Sequence, residues 1–213
     1  MKRRVNGITK VTNTPFLNMY TFDMLYENGK HGNYYVASRA KNVDELKASK
    51  KLDRVDGVII YAVHKAPEVD EERLVLIRQY RCPLDDYIYE FPAGLVDDGE
   101  NFKQAGTREL KEETGLNLTP IDASDMFTKP FYTTVGMTDE CCGTVYGYAS
   151  GVPSKDGQEE SEEIEIVLAD RAMVRKILKE ERMAIMCAYM CMHFLNTPKG
   201  HVFDFLKAGD TDE

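Results

Sequence analysis

Glu109, Glu112 and Glu113 crowd into the nine residues RELKEETGL, from Arg108 to Leu116. In a helix, at about 100° per residue, Glu113 stands roughly 40° past Glu109 and Glu112 roughly 60° before it, so all three project from one arc. Like charges four residues apart cost an isolated helix roughly a few tenths of a kcal/mol. The stripe therefore calls for a cation or for solvent screening. Oxygen ligands at this density suit a hard divalent ion, Mg²⁺ or Mn²⁺. The plainer use of the same residues is an exposed acidic face with Lys103, Arg108 and Lys111 as intrahelical partners.

The surrounding sequence supplies elements to hold that stripe. A helix-period run extends from Phe102 to Thr114, and Gly115 follows where a left-handed cap favours glycine. Ahead of it, Ala93-Gly94 opens a loop through Asp97-Asp98-Gly99. The runs Gly57–Val63 and Arg73–Tyr80 read as paired strands separated by the polar stretch Pro67–Glu72, and Tyr87–Phe91 as a short alternating strand. Further strands are expected at Met126–Thr133, Gly143–Tyr148 and Ile164–Leu168. Helices follow at Asp170–Glu181, with Met173, Val174, Ile177 and Leu178 as its apolar stripe, and at Met183–Asn196. That order predicts an α/β domain with a mixed sheet and helices on both faces. Residues 1–54 read as a separate β-rich piece in which Phe16–Leu25 and Tyr34–Ser38 flank the turn-prone Glu27–Lys30. The charged segment Lys41–Lys51 connects it to the next unit.

Composition narrows the function classes. The chain has 213 residues, 43% hydrophobic and 30% charged, with 15 Gly and 8 Pro, which excludes a collagenous or wholly disordered chain. With 27 basic and 36 acidic residues the net charge is −9, so general nucleic-acid or acidic-membrane binding is not expected. A phosphate ligand would need local cations. The longest mostly apolar stretch, Val58–Val63, is far shorter than the roughly 20 residues of a membrane helix. The start, MKRRVNGITK, lacks the apolar segment of a secretion signal, so a cytoplasmic address is expected. Five cysteines without zinc-ribbon spacing read as reduced thiols. Cys187 and Cys191 share a helical face; a metal site with His193 is conceivable, and helix core is the favoured use.

Gly94, five residues, Glu100, seven residues, Arg108-Glu109-Leu110, one residue, Glu112-Glu113, one residue and Gly115-Leu116 match the Nudix box in every fixed position. The chain thus resembles the Nudix hydrolases, which cleave a nucleoside diphosphate linked to another moiety. The box is matched tightly, and the surrounding residues from about 55 to 196 more loosely. The resemblance implies a Nudix α/β/α sandwich. It implies metal ligands at Glu109, Glu113 and the Ala93 carbonyl, with Glu112 among the catalytic carboxylates as a residue that helps hold or bridge the metals. Glu100 and Arg108 then tie the loop to the helix, and Gly94 and Gly115 serve turns.

Outside the box, Arg78-Gln79-Tyr80-Arg81 and Glu90-Phe91-Pro92-Ala93-Gly94 look like the subgroup acting on ADP-ribose and related nucleoside diphosphate sugars. That likeness implies substrate contacts from Arg78, Arg81, Glu90 and Glu140; guanidinium forks match phosphate oxygens. Pairing of the two arginines with Asp85, Asp86 or Glu90 is the alternative. The stretch Thr133–Glu140 resembles the subgroup's Ser-Pro-Gly loop but carries Val135 in place of the proline, which keeps UDP-sugars and dinucleoside polyphosphates open as substrates. In the acidic loop Gln158–Ile164 the resemblance puts the catalytic base at Glu160 and a further metal ligand at Glu162. It also implies a homodimer in which residues 1–54 serve dimerisation and substrate binding, with Phe16, Tyr20 or Tyr34 as candidates to stack on a nucleobase, and residues 55–213 form the hydrolase domain. The expected reaction is ADP-ribose plus water giving AMP and ribose 5-phosphate, with Mg²⁺ as cofactor and Mn²⁺ possible. The alternative is a non-catalytic sensor of the same class of ligand.

Overall fold

Alternate residues of Asn18–Leu25 turn inward, so that Tyr20 and Phe22 are buried while Met19 is exposed. This strand is the centre of a three-stranded antiparallel sheet, β1 (Val5–Lys10), β2 (Asn18–Leu25) and β3 (His31–Ser38). Its inner face packs with Leu46, Val36 and Val43, next to a 3₁₀ turn at Val43–Glu45 and the single-turn helix α1 (Lys47–Lys50). β1 was not expected, because VNGITK has one glycine and little apolar content. The structure, a computed structural model, describes residues 4–50, 54–65, 71–159 and 162–210, without the side chains of 208–210. Most of the expected polar link Pro67–Glu72 lies outside the described residues.

The chain divides into two compact units, residues 1–56 with 130–142, and residues 57–129 with 143–213. In the second unit β4 (Gly57–Lys65) and β5 (Glu72–Arg81) pair antiparallel, β6 (Asp86–Glu90) pairs with β5, and β7 (Ala93–Leu95) with β4. After helix α2 (Phe102–Thr114) come β8 (Asn117–Pro120), the single-turn helix α3 (Asp125–Thr128), then β9 (Phe131–Tyr132), which belongs to the first unit, β10 (Cys141–Ser150), whose first two residues do so too, and β11 (Ile164–Ala169). Helices α4 (Arg171–Glu180) and α5 (Ile185–Asn196) and a 3₁₀ segment at Asp204–Asp210 complete it. The main strand order is β11-β5-β4-β10-β8. Asp56 and Cys141 exchange hydrogen bonds at the start of β4 and β10, and His64 Nε2 meets the Gly151 carbonyl at their far ends, 3.0 Å away. Those two strands therefore run parallel among antiparallel neighbours. The expected mixed sheet is present.

Period-two alternation sends each strand's apolar residues to two cores. Val58, Ile60, Ala62 and Val75 pack with Ala105 and Leu110 of α2. Tyr61, Val63, Leu74 and Leu76 pack with Val174 and Ile177 of α4 and Cys187, Cys191 and Phe194 of α5. The result is three layers, with α2 on one face of the sheet and α4 and α5 on the other.

One expected strand is corrected. Met126–Thr133 is split between α3 and the two-residue β9, because the Ser124 side chain caps the Met126 N–H and starts a helical turn. Ala93-Gly94, expected to open a loop, instead forms β7 against Ile59 and Val58.

Candidate active site

Helix α2 carries the acidic stripe and is fixed at both ends. Asn101 accepts from the Lys103 and Gln104 N–H groups, while the Gln104 side chain accepts from the Asn101 N–H, a complete capping box. Gly115 ends the helix at φ 73°, the left-handed conformation glycine tolerates.

Burial grades the three glutamates around their arc. Glu113 is 2% exposed, and Glu109 and Glu112 are half-buried. Both Glu109 and Glu113 end on β7. The Ala93 N–H donates to Glu113 Oε2 at 3.2 Å. At the next residue, a Cβ built on Gly94 would stand 1.9 Å from the Glu109 carboxyl carbon, so the carboxylate occupies the space any other residue would fill. The pair therefore converges.

Arg108 holds the outer carboxylates. Its Nη1 donates to Glu109 Oε1 and Glu112 Oε2, both at 2.9 Å. Its Nη2 donates to Glu100 Oε2 at 3.0 Å and to the Leu95 carbonyl at 3.1 Å, tying the loop after β7 to the helix. The Glu100 bond, the largest contribution, holds the guanidinium proton more firmly than usual and keeps the Glu100 carboxyl below its ordinary range.

Glu113 is the opposite case. Burial, and then the charges of Glu162 and Glu109, push its carboxyl well above the ordinary range. Burial likewise raises Glu109, against the pull of Arg108. Among the described residues no three His, Cys, Asp or Glu side chains already stand grouped as a metal cage. Glu109 is turned to Arg108, and Glu160, the expected base, lies outside the described residues. A divalent cation nevertheless fits the donor set, because a dry carboxylate crowded by two more has excess negative field and oxygen ligands alone.

The two arginines of β5 part company. Residues three apart on a strand face opposite sides. Arg81 shares the α2 side, where its charge reaches Glu113 and its Nε donates to Glu90 Oε2 at 2.6 Å. Arg78 points to the α4 and α5 side, 4.6 Å from the Tyr87 ring centre and 3.2 Å from Glu165. The spacing alone contained this result. A single phosphate clamp built from both arginines is not formed by this chain's geometry.

Ala93, Glu109, Glu113, Arg81 and Glu90 are gathered about the α2 side of the sheet, and the charge of Glu162, whose carboxylate accepts the Glu159 N–H at 3.3 Å, acts on Glu113 and Glu109. Glu140 belongs to the first unit, where Arg39 Nη2 lies 3.2 Å away and the Thr133 hydroxyl donates to it at 3.0 Å. Tyr20 is corrected as a stacking candidate: it is fully buried, its hydroxyl bonded to the Ala40 carbonyl. Tyr34 and Phe16 remain exposed. The conceivable Cys187, Cys191 and His193 site is not formed; the thiols are core, and His193 Nε2 meets the Val202 carbonyl at 3.1 Å. Gln158, which sequence reasoning passed over, reaches the Glu113 carbonyl. A lone glutamine carries no spacing signal for such a contact.

Comparison with known proteins bears on the same residues. The family model described as the NUDIX domain matches residues 53–186. An ADP-ribose pyrophosphatase of Saccharomyces cerevisiae is 35% identical over 101 residues, 47% of this chain and 42% of that protein. An ADP-ribose pyrophosphatase of Bacillus subtilis is 37% identical over 99 residues, 44% of this chain and 47% of that protein. The chain thus spans about half the length of these curated relatives. A crystal structure of an ADP compounds hydrolase superposes with a TM-score of 0.64 over 99% of this chain and 97% of that one, at 20% identity, a likeness of fold.

Proposed function

The chain belongs to the NUDIX domain family, and from that premise we propose that it hydrolyses the diphosphate bridge of ADP-ribose or a related nucleoside diphosphate sugar. The products would be a nucleoside monophosphate and a sugar phosphate. The observation that carries this reading is the convergence of Glu109 and Glu113 on the consecutive residues Gly94 and Ala93, with Glu113 buried and crowded by negative charge. Pyrophosphatase relatives support the substrate class. Glu109, Glu113, Glu162 and the Ala93 carbonyl would hold Mg²⁺ or Mn²⁺. Such an ion, when bound, offsets the charge of a diphosphate and lowers the pKa of a water. Glu160 would accept the proton of the attacking water, and Glu112, steered by Arg108, would help hold the ions. Arg81, with Glu90 beside it, would contact the diphosphate from the strand end. Arg78, on the opposite face of the strand, would meet substrate only from outside this cluster, and Glu140 would contribute a substrate contact from the first unit.

In the same proposal residues 1–54 serve dimerisation and substrate binding, residues 55–213 catalysis, and the enzyme is a cytoplasmic homodimer that uses neither nucleic acid nor membrane. No helix among the described residues is long and apolar enough to cross a bilayer. The test is an assay of nucleoside diphosphate sugars, dinucleotides and nucleoside triphosphates with Mg²⁺, the products separated by charge. AMP and ribose 5-phosphate from ADP-ribose are expected. Tight ADP-ribose binding without turnover would replace the enzyme with a sensor, and turnover confined to triphosphates would move the substrate class.

A further inference from the structure

A helix leaves its last carbonyls without partners of its own, and each must be met elsewhere. At the end of α2 the Leu110 carbonyl takes the Thr114 hydroxyl and the Lys111 carbonyl takes the Gly115 N–H at 2.9 Å. Two more of the last carbonyls are met from far along the chain. Ser154 N–H donates to the Thr114 carbonyl at 2.9 Å, and Gln158 Nε2 donates to the Glu113 carbonyl at 2.7 Å. Between them Gly157 lies directly on the helix: a Cβ there would stand 2.9 Å from the Glu112 carbonyl oxygen and 3.1 Å from its Cα. Backbone cannot rotate away as a side chain would, so the close approach depends on glycine.

The same segment leads into the acidic residues. Gln158 N–H donates to the Lys155 carbonyl at 3.1 Å, Glu162 N–H to the Glu159 carbonyl at 3.0 Å, and Tyr80 N–H to the Glu163 carbonyl at 3.3 Å. Glu162 is thus suspended between the end of α2 and strand β5. We propose that Gln158 and Gly157 are positioning residues that seat this loop on the last turn of α2 and so set Glu162 against the Glu109 and Glu113 carboxylates. The proposal rests on reading those carboxylates as metal ligands. Neither residue need touch a reacting atom. Outer contacts of this kind orient ligands, and their loss weakens metal affinity about 10- to 100-fold.

The test uses the full chain and Mn²⁺ alone as probe, titrated by calorimetry into wild type, Gln158→Met, Gly157→Ala and the double variant. Methionine keeps the glutamine's length without its N–H donor. Each single variant is expected to bind Mn²⁺ about tenfold more weakly. The double variant is expected to fall short of the product of the two losses, because both act through one contact. Amide exchange at Glu162 and Glu163 should rise in both singles, while that of α5 stays at its wild-type rate. Wild-type affinity in Gln158→Met, or losses that simply multiply, would overturn the positioning role. Absence of Mn²⁺ uptake by wild type would instead overturn the metal reading, and the positioning role with it.

Discussion

Helices α2 and α5 each turn inward two residues of metal-ligating type four positions apart, fully buried on α5 and fully or half-buried on α2, and they do opposite things with them. On α2, Glu109 and Glu113 meet β7, and burial makes their charge expensive. On α5, Cys187 and Cys191 lie with sulfurs 4.0 Å apart among Tyr61, Phe194 and Phe203, where they pack as small apolar groups. The helix ends differ in kind as well. α2 has a capping box and a glycine stop, whereas α5 starts at Ala184 without a side-chain cap and depends on its packing. Spacing is shared; what separates a site from a core is whether the buried group must carry charge.

Four experiments break or sharpen that contrast. Replacing Glu113 by Gln should lower kcat by on the order of 10²- to 10³-fold, measured as AMP release with saturating Mg²⁺; near-wild-type turnover would make α2 no more a site than α5. Arg81→Ala should raise KM about tenfold in the same assay, with Arg78→Ala changing it less, since only Arg81 shares the carboxylates' face. Cys191→Ala should cost about 1 kcal/mol of stability in urea unfolding and leave turnover at the wild-type level. The smallest effect is a pH slope. The folded chain holds Glu113 protonated above the usual glutamate value of about 4.3, so this group's stabilisation is full below that value and fades as pH rises toward the raised one. Metal-free protein should therefore lose Tm over that window, and Glu113→Gln should flatten the loss.

Much of this was readable before any coordinates. The bounds Phe102–Thr114 and the glycine stop follow from helical period and cap chemistry alone, and the converging arc of glutamates from residue angles. Local misreadings have local causes. Ser124 turned Met126–Thr128 from extended to helical, and β7 was too short, at three residues, to leave a period. The opposite facing of Arg78 and Arg81 was latent in their odd spacing. Burial of Tyr20 and the seat of Gln158 on Glu113 were not, because each depends on residues brought together from elsewhere in the chain.

The first compact unit is assembled from two separated stretches of sequence, residues 1–56 and 130–142. Within it Ala37 N–H bonds the Met137 carbonyl, Arg39 pairs with Glu140, and Lys47 Nζ bonds the Asp139 carbonyl. A deletion ending near residue 56 would orphan those partners in the middle of the remaining polypeptide. The leading segment therefore cannot be cut away as an independent piece, since its loss strips hydrogen-bond partners from residues 130–142.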